Sequence, residues 1–147
     1  MRVLIPLALA LLATGCATGY HKSGFTGGYW EKSGPGELIE VGFSGNGYIK
    51  EERVGDYLMY RCAEVARQHG GKYFTIYHSI YEAIADRPLP DASTTALGGK
   101  PYGKVFMLLQ DSRVPAALAV DEVLVKYDPA VKRKAGGAAA QQAEGAQ

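Results

Sequence analysis

Two cysteines, three histidines, a run of tyrosines and scattered carboxylates are the groups in this 147-residue chain that could do chemistry. Cys16 admits three readings: half of a disulfide, a core residue, or a point of attachment. Cys62 sits among apolar neighbours in a helical pattern and reads as a small buried hydrophobe; a reactive thiol would need exposure and a nearby cation. His69 and His78 have no companion at ligand spacing such as His-x-x-x-His, so no metal site is expected. Ser79 and His78 would leave a strand on opposite faces, which precludes a nucleophile–base pair. Gly45-Asn46-Gly47 lacks a third glycine three residues on. In Gly98-Gly99-Lys100-Pro101 a proline stands where a phosphate loop needs Ser or Thr. Both are read as turns, and no cofactor is expected.

Two constellations remain. Asp56, Tyr60, Arg61 and Glu64 fall within three turns of a helical pattern, where Arg61 is placed to lock the helix to a loop through the carboxylates or Asn46. Tyr73, Tyr77 and Tyr81 alternate along an apparent strand. A row of tyrosines pairs broad apolar faces with hydroxyls and suits contact with a protein or a sugar.

The elements that must position these groups follow from period. Residues 29–46 read as a hairpin turning at Gly34-Pro35-Gly36, with Ile39, Val41 and Phe43 on one face of the second strand. Residues 49–69 switch to steps of three and four through Val54, Leu58, Cys62 and Val65, and stop at Gly70-Gly71. KYFTIYHSIY returns to alternation. Residues 86–101 hold three prolines and no period, which predicts a loop, and YGKVFMLLQ predicts another strand. Val120, Val123, Leu124 and Tyr127 favour a short helix. The order strand-strand-helix-strand-strand-short helix predicts an α+β fold, a small two-layer sandwich with about four strands on one main helix.

Before this domain, Arg2 is followed by about eleven apolar residues, too few for the roughly 20 that span a bilayer core, and by small residues. That is the pattern of a secretory signal over residues 1–15. Leu11-Leu12-Ala13-Thr14-Gly15-Cys16 resembles a bacterial lipobox. The resemblance implies cleavage before Cys16 and attachment of acyl chains, palmitate among them, to that residue. Ala17, where an Asp commonly retains such proteins in the inner membrane, implies the outer membrane. Further on, GFSGNGYIKEERVGDYLMYRCAEV and GGKYFTIY resemble a family of small, uncharacterised lipoproteins of Gram-negative bacteria. Its core places Gly-Asn before a helix carrying Val-x-Asp-Tyr-Leu-x-Tyr-Arg-x-Ala-Glu, here Val54 to Glu64. The likeness covers roughly residues 29–82 and departs at Ile49, where the family places a Thr or Ser suited to capping the helix. It brings no activity with it.

Loss of residues 1–15 removes Arg2 and leaves 15 basic against 15 acidic residues. A neutral chain argues against nucleic acid and against electrostatic docking on anionic lipid. Residues 16–28, rich in Gly and small polar groups, read as a flexible tether with a span of roughly 20 Å. Residues 29–129 form the single domain, and 130–147 read as a disordered Ala/Gly/Gln tail. The expectation is a non-enzymatic lipoprotein of the periplasm, tied to the membrane through Cys16 and meeting an envelope protein or cell-wall glycan. The alternatives are an assembly accessory that captures extended segments at a sheet edge and, last, a hydrolase.

Overall fold

Alternation of apolar residues and a Gly-Pro-Gly turn build the first hairpin, β1 (Gly28–Ser33) and β2 (Ile39–Ser44), paired antiparallel from Gly28↔Ser44 to Ser33↔Ile39. The computed structural model describes residues 16–133. The expected signal, 1–15, and the expected tail from 134 to 147 lie outside the described residues. α1 (Glu51–Gln68) carries Glu51 and Glu52 in its first turn, where the helix dipole favours them, and Gly70 at φ +74° follows its end.

After α1 come β3 (Tyr73–Tyr77), α2 (Ile80–Ile84), β4 (Thr94–Leu97), β5 (Lys100–Gln110), β6 (Leu118–Ala119) and α3 (Val120–Lys132). The fold is α+β, with an antiparallel sheet of six strands in the order β1-β2-β5-β3-β6 and β4 paired to β5. β5 is the spine. Its eleven residues pair β2 on one side and, on the other, β4 with their first part and β3 with their last.

Three expectations are corrected here. The strand through Tyr81 stops at Tyr77, because Ser79 accepts the Glu82 N–H at 3.2 Å and starts α2. The loop over 86–101 contains β4, whose hairpin to β5 turns on Gly98 and Gly99 alone. Both have positive φ (+58° and +75°), as a two-residue turn matched to sheet twist requires. The short helix is long: α3 continues through Pro129 to Lys132, so residues 130–132 belong to the fold and not to a tail.

The core lies between the sheet and the helices. Val41, Phe43, Phe74, Ile76, Val105 and Met107 come from the sheet; Val54, Leu58, Cys62, Val65 and Ala66 come from α1. α3 packs along α1 and adds Val120, Val123, Leu124 and Tyr127. This second cover explains why Met59 and Ala63, off the predicted stripe, are also buried.

On the opposite face of the sheet, Trp30 lies across Gly42, with Tyr102 stacked beside it at 5.6 Å between ring centroids. Any β-carbon at position 42 would sit 2.0 Å from the indole ring. Gly42→Ala is therefore expected to push the chain's one tryptophan off the sheet. Its emission should shift to the red, with a loss of roughly 1 kcal/mol in urea unfolding. Unchanged emission would refute this account of Gly42.

Candidate functional site

The turn after β2 carries Asn46, and three backbone groups meet at its carboxamide. Asn46 Nδ2 donates to the Cys16 carbonyl at 2.8 Å, while Oδ1 accepts from the Thr18 N–H at 3.2 Å and the Tyr48 N–H at 3.1 Å. Thr18 is buried and returns the contact: its Oγ1 accepts the Asn46 N–H at 2.8 Å and donates to the Thr26 carbonyl at 2.7 Å. Gly45 N–H bonds the Pro101 carbonyl at 2.7 Å, which fixes this turn to the start of β5. Asn46 does not cap α1. Lys50 holds the cap position with no side-chain bond.

Residues 16–28, expected as a loose tether, are laid onto the domain instead. Tyr29 N–H donates to the His21 carbonyl at 2.9 Å and its carbonyl accepts the Ser23 N–H at 2.7 Å, so this segment runs along the outer edge of β1. Composition alone suggested coil because these bonds are made by backbone, to which any residue contributes.

The second anchor of that segment is a ring of aromatic groups around Arg61. Tyr20 packs against Tyr29, Tyr57 and Tyr60 with centroids 4.9, 5.5 and 5.4 Å away, and its hydroxyl donates to Glu64 Oε2. Arg61 is buried on α1, and of the partners expected for it only Glu64 is met. Its Nη2 and Nε reach the two oxygens of Glu31 at 2.9 and 3.2 Å, and its Nη1 reaches Glu64 at 2.9 Å. The guanidinium also lies over the Tyr29 ring at 4.2 Å. Burial alone would lower the Arg61 pKa; its hydrogen bonds to both glutamates outweigh that and hold the charge. Burial, then the bond to Glu64, raises the Tyr20 phenol well above its usual range. Tyr60 rises by burial first and Glu64 second. The set therefore works as fixed charge and fixed phenol, suited to holding and not to proton transfer near neutral pH. Glu31, which completes it, was missed because a strand residue far from the helix carries no local signal.

Asp56 belongs elsewhere. It faces α3 and the segment before β4, near Arg53, Glu52, Asp91 and Lys126. There Tyr127 donates to both oxygens of Asp91 at 3.0 and 3.1 Å. A pocket of about 250 Å³ adjoins it between Met59, Pro90, Leu118, Val123 and Tyr127.

The tyrosine row is not a row. Tyr73 is half-buried at the head of β3, and Tyr77 is buried, donating to Asp86 at 3.3 Å and accepting from Thr75. Tyr81 is exposed on α2. The change of period at Ser79 removes the shared face. Cys62 is fully buried and burial pushes its thiol above the usual range, consistent with a core residue. His69 ends α1 and His78 is exposed with Nδ1 3.5 Å from Ser93 Oγ. Among the described residues, no three His, Cys, Asp or Glu side chains gather as a metal cage. No family model, curated protein or solved structure matches the chain.

Removing Arg61 strands two carboxylates that are two-thirds buried. Arg61→Ala is expected to cost about 2–4 kcal/mol in urea unfolding. Arg61→Lys should recover less than half, since an ammonium cannot reproduce the fork to Glu31. A loss under about 0.5 kcal/mol would show the cluster to be ornamental.

Asp56 has its carboxyl raised, chiefly by desolvation. A raised carboxyl binds its proton more tightly in the folded state, so its stabilisation is present below the unfolded pKa of about 3.9 and is lost as pH rises through the folded value. Asp56→Asn should therefore raise the melting temperature at neutral pH. The two proteins should converge in acid, where both side chains are neutral. A variant less stable than wild type at neutral pH would contradict this.

Proposed function

We propose that the chain is a lipid-anchored envelope protein of the periplasm, held on the outer membrane by acyl chains on Cys16, with a binding or structural role and no catalysis of its own. One observation supports it above the sequence pattern: Cys16 is exposed, yet its carbonyl and the residue two positions on are already bonded to Asn46. Two residues reach at most about 7 Å, against the roughly 20 Å of a free tether. An anchor at Cys16 would hold the domain against the bilayer without slack. Two or more acyl chains, at about 0.8 kcal/mol per buried methylene, are enough to hold it stably.

An envelope protein or cell-wall glycan remains the partner class of this reading, without the support of the Tyr73/Tyr77/Tyr81 face. The edge-capture alternative draws nothing from β1 at Tyr29, where Lys22 already pairs. A hydrolase draws nothing from Ser79, which caps α2.

Replacing Cys16 by Ser tests the proposal. The wild-type chain should fractionate with membranes and carry the mass of its acyl groups; the variant should be released. Equal retention of the variant, or a plain thiol in the wild type, would sink the reading.

A further inference from the structure

Six large hydrophobic side chains are exposed among the described residues: Phe25, Tyr48, Tyr81, Ile84, Leu97 and Val125. Two of them stand on the loops that Asn46 and Thr18 gather around Cys16, and a third, Leu97, ends β4 at the hairpin beside that turn. Phe25 is at the tip of a tight turn closed by Gly24 and Gly27, and its neighbour Thr26 accepts the Thr18 hydroxyl. Tyr48 donates its N–H to Asn46 Oδ1, two residues from the group that holds Cys16. Leu97 opens the β4–β5 hairpin, which lies against the same turn: a methyl group added at Gly47 would come within 3.8 Å of the Gly99 carbonyl oxygen. Lys22, Lys50 and Lys100 are exposed on these loops, with Glu51 and Glu52 at the start of α1 close by in sequence. The remaining three exposed apolar groups are on α2 and α3.

We propose that this end of the domain is a bilayer-seating face, in which Phe25, Tyr48 and Leu97 enter the headgroup layer around the anchored Cys16. The inference rests on the anchor reading and goes beyond it, from attachment to orientation. The occupant is lipid because the clamp leaves no length for the anchor to turn this end away: whatever bilayer receives the acyl chains meets these loops first. Aromatic and aliphatic tips flanked by lysines are the composition that settles at a membrane–water interface. The balance of three lysines and two glutamates gives weak attraction to anionic lipid, so apolar insertion carries the contact.

The test places a nitroxide label on a single introduced cysteine in the full chain, bound to vesicles of phosphatidylethanolamine and phosphatidylglycerol. Phe25→Cys, Tyr48→Cys and Leu97→Cys are compared with Val125→Cys. All four positions are exposed, and Cys62 is too buried to take label. At 25, 48 and 97, collisions with oxygen should rise and collisions with a water-soluble nickel chelate should fall on vesicle binding; at 125 neither should change. Protein that floats with the vesicles while all four labels stay equally open to nickel overturns the seating face and leaves the anchor standing. The chain without an introduced cysteine tests the anchor apart: uptake of label at Cys16 shows that residue unacylated, and both readings fall. Labels at 25, 48 and 97 that become immobile in concentrated, lipid-free Cys16→Ser protein assign the surface to a second copy, which also overturns the proposal.

Discussion

One carboxamide holds the organisation of this domain together. Asn46 satisfies three backbone groups from two segments far apart in sequence, and its amide orientation is set by them: two N–H groups face the oxygen, one carbonyl faces the nitrogen. A backbone donor or acceptor near a buried threonine must find a partner, and a loosely laid segment offers few. Asn46 supplies them at a turn that also touches the start of β5 through Gly45. The segment 16–28 thereby becomes part of the fold, and Cys16 acquires a defined place relative to the sheet.

The second constraint is a buried cation. Burying a guanidinium is expensive unless its donors are all placed, and Arg61 has two carboxylates and a ring face to meet them. Those partners come from β1 and from its own helix, while Tyr20 reaches Glu64 from the docked segment. The cluster thus ties three pieces of chain at one point. Arg61 keeps its charge through the two glutamates, and burial keeps the Tyr20 phenol protonated. Such a cluster is suited to holding the segment that carries Cys16 against the sheet and helix.

Much of this was legible in the residues. α1, its stop at Gly70, the first hairpin and β5 follow from period and punctuation, and the Arg61–Glu64 pair follows from a spacing of three. The misreadings share a cause. KYFTIYHSIY alternates without a break, so nothing in hydrophobicity marks Tyr77 as the end of β3; the hydroxyl of Ser79 does, by capping, and a capping serine looks like any other. β4 is held by hairpin pairing to β5 and is mostly exposed, so it carries no apolar period to read. Pro129 reads as the end of the domain, but α3 runs on to Lys132, and Arg53 of α1 bonds its Ala130 carbonyl.

By itself the sequence determined the local elements, the single apolar stripe of α1, and the pattern around Cys16, because those are set by neighbours a few residues apart. Only tertiary structure decided that the Gly-rich segment is docked, that Asp56 and Arg61 serve different clusters, that the three tyrosines share no face, and that Phe25 and Tyr48 stand on turns joined through Thr18 and Asn46. These depend on backbone bonds and close approaches between positions tens of residues apart. Composition does not encode them, since every residue brings the same N–H and C=O to such contacts.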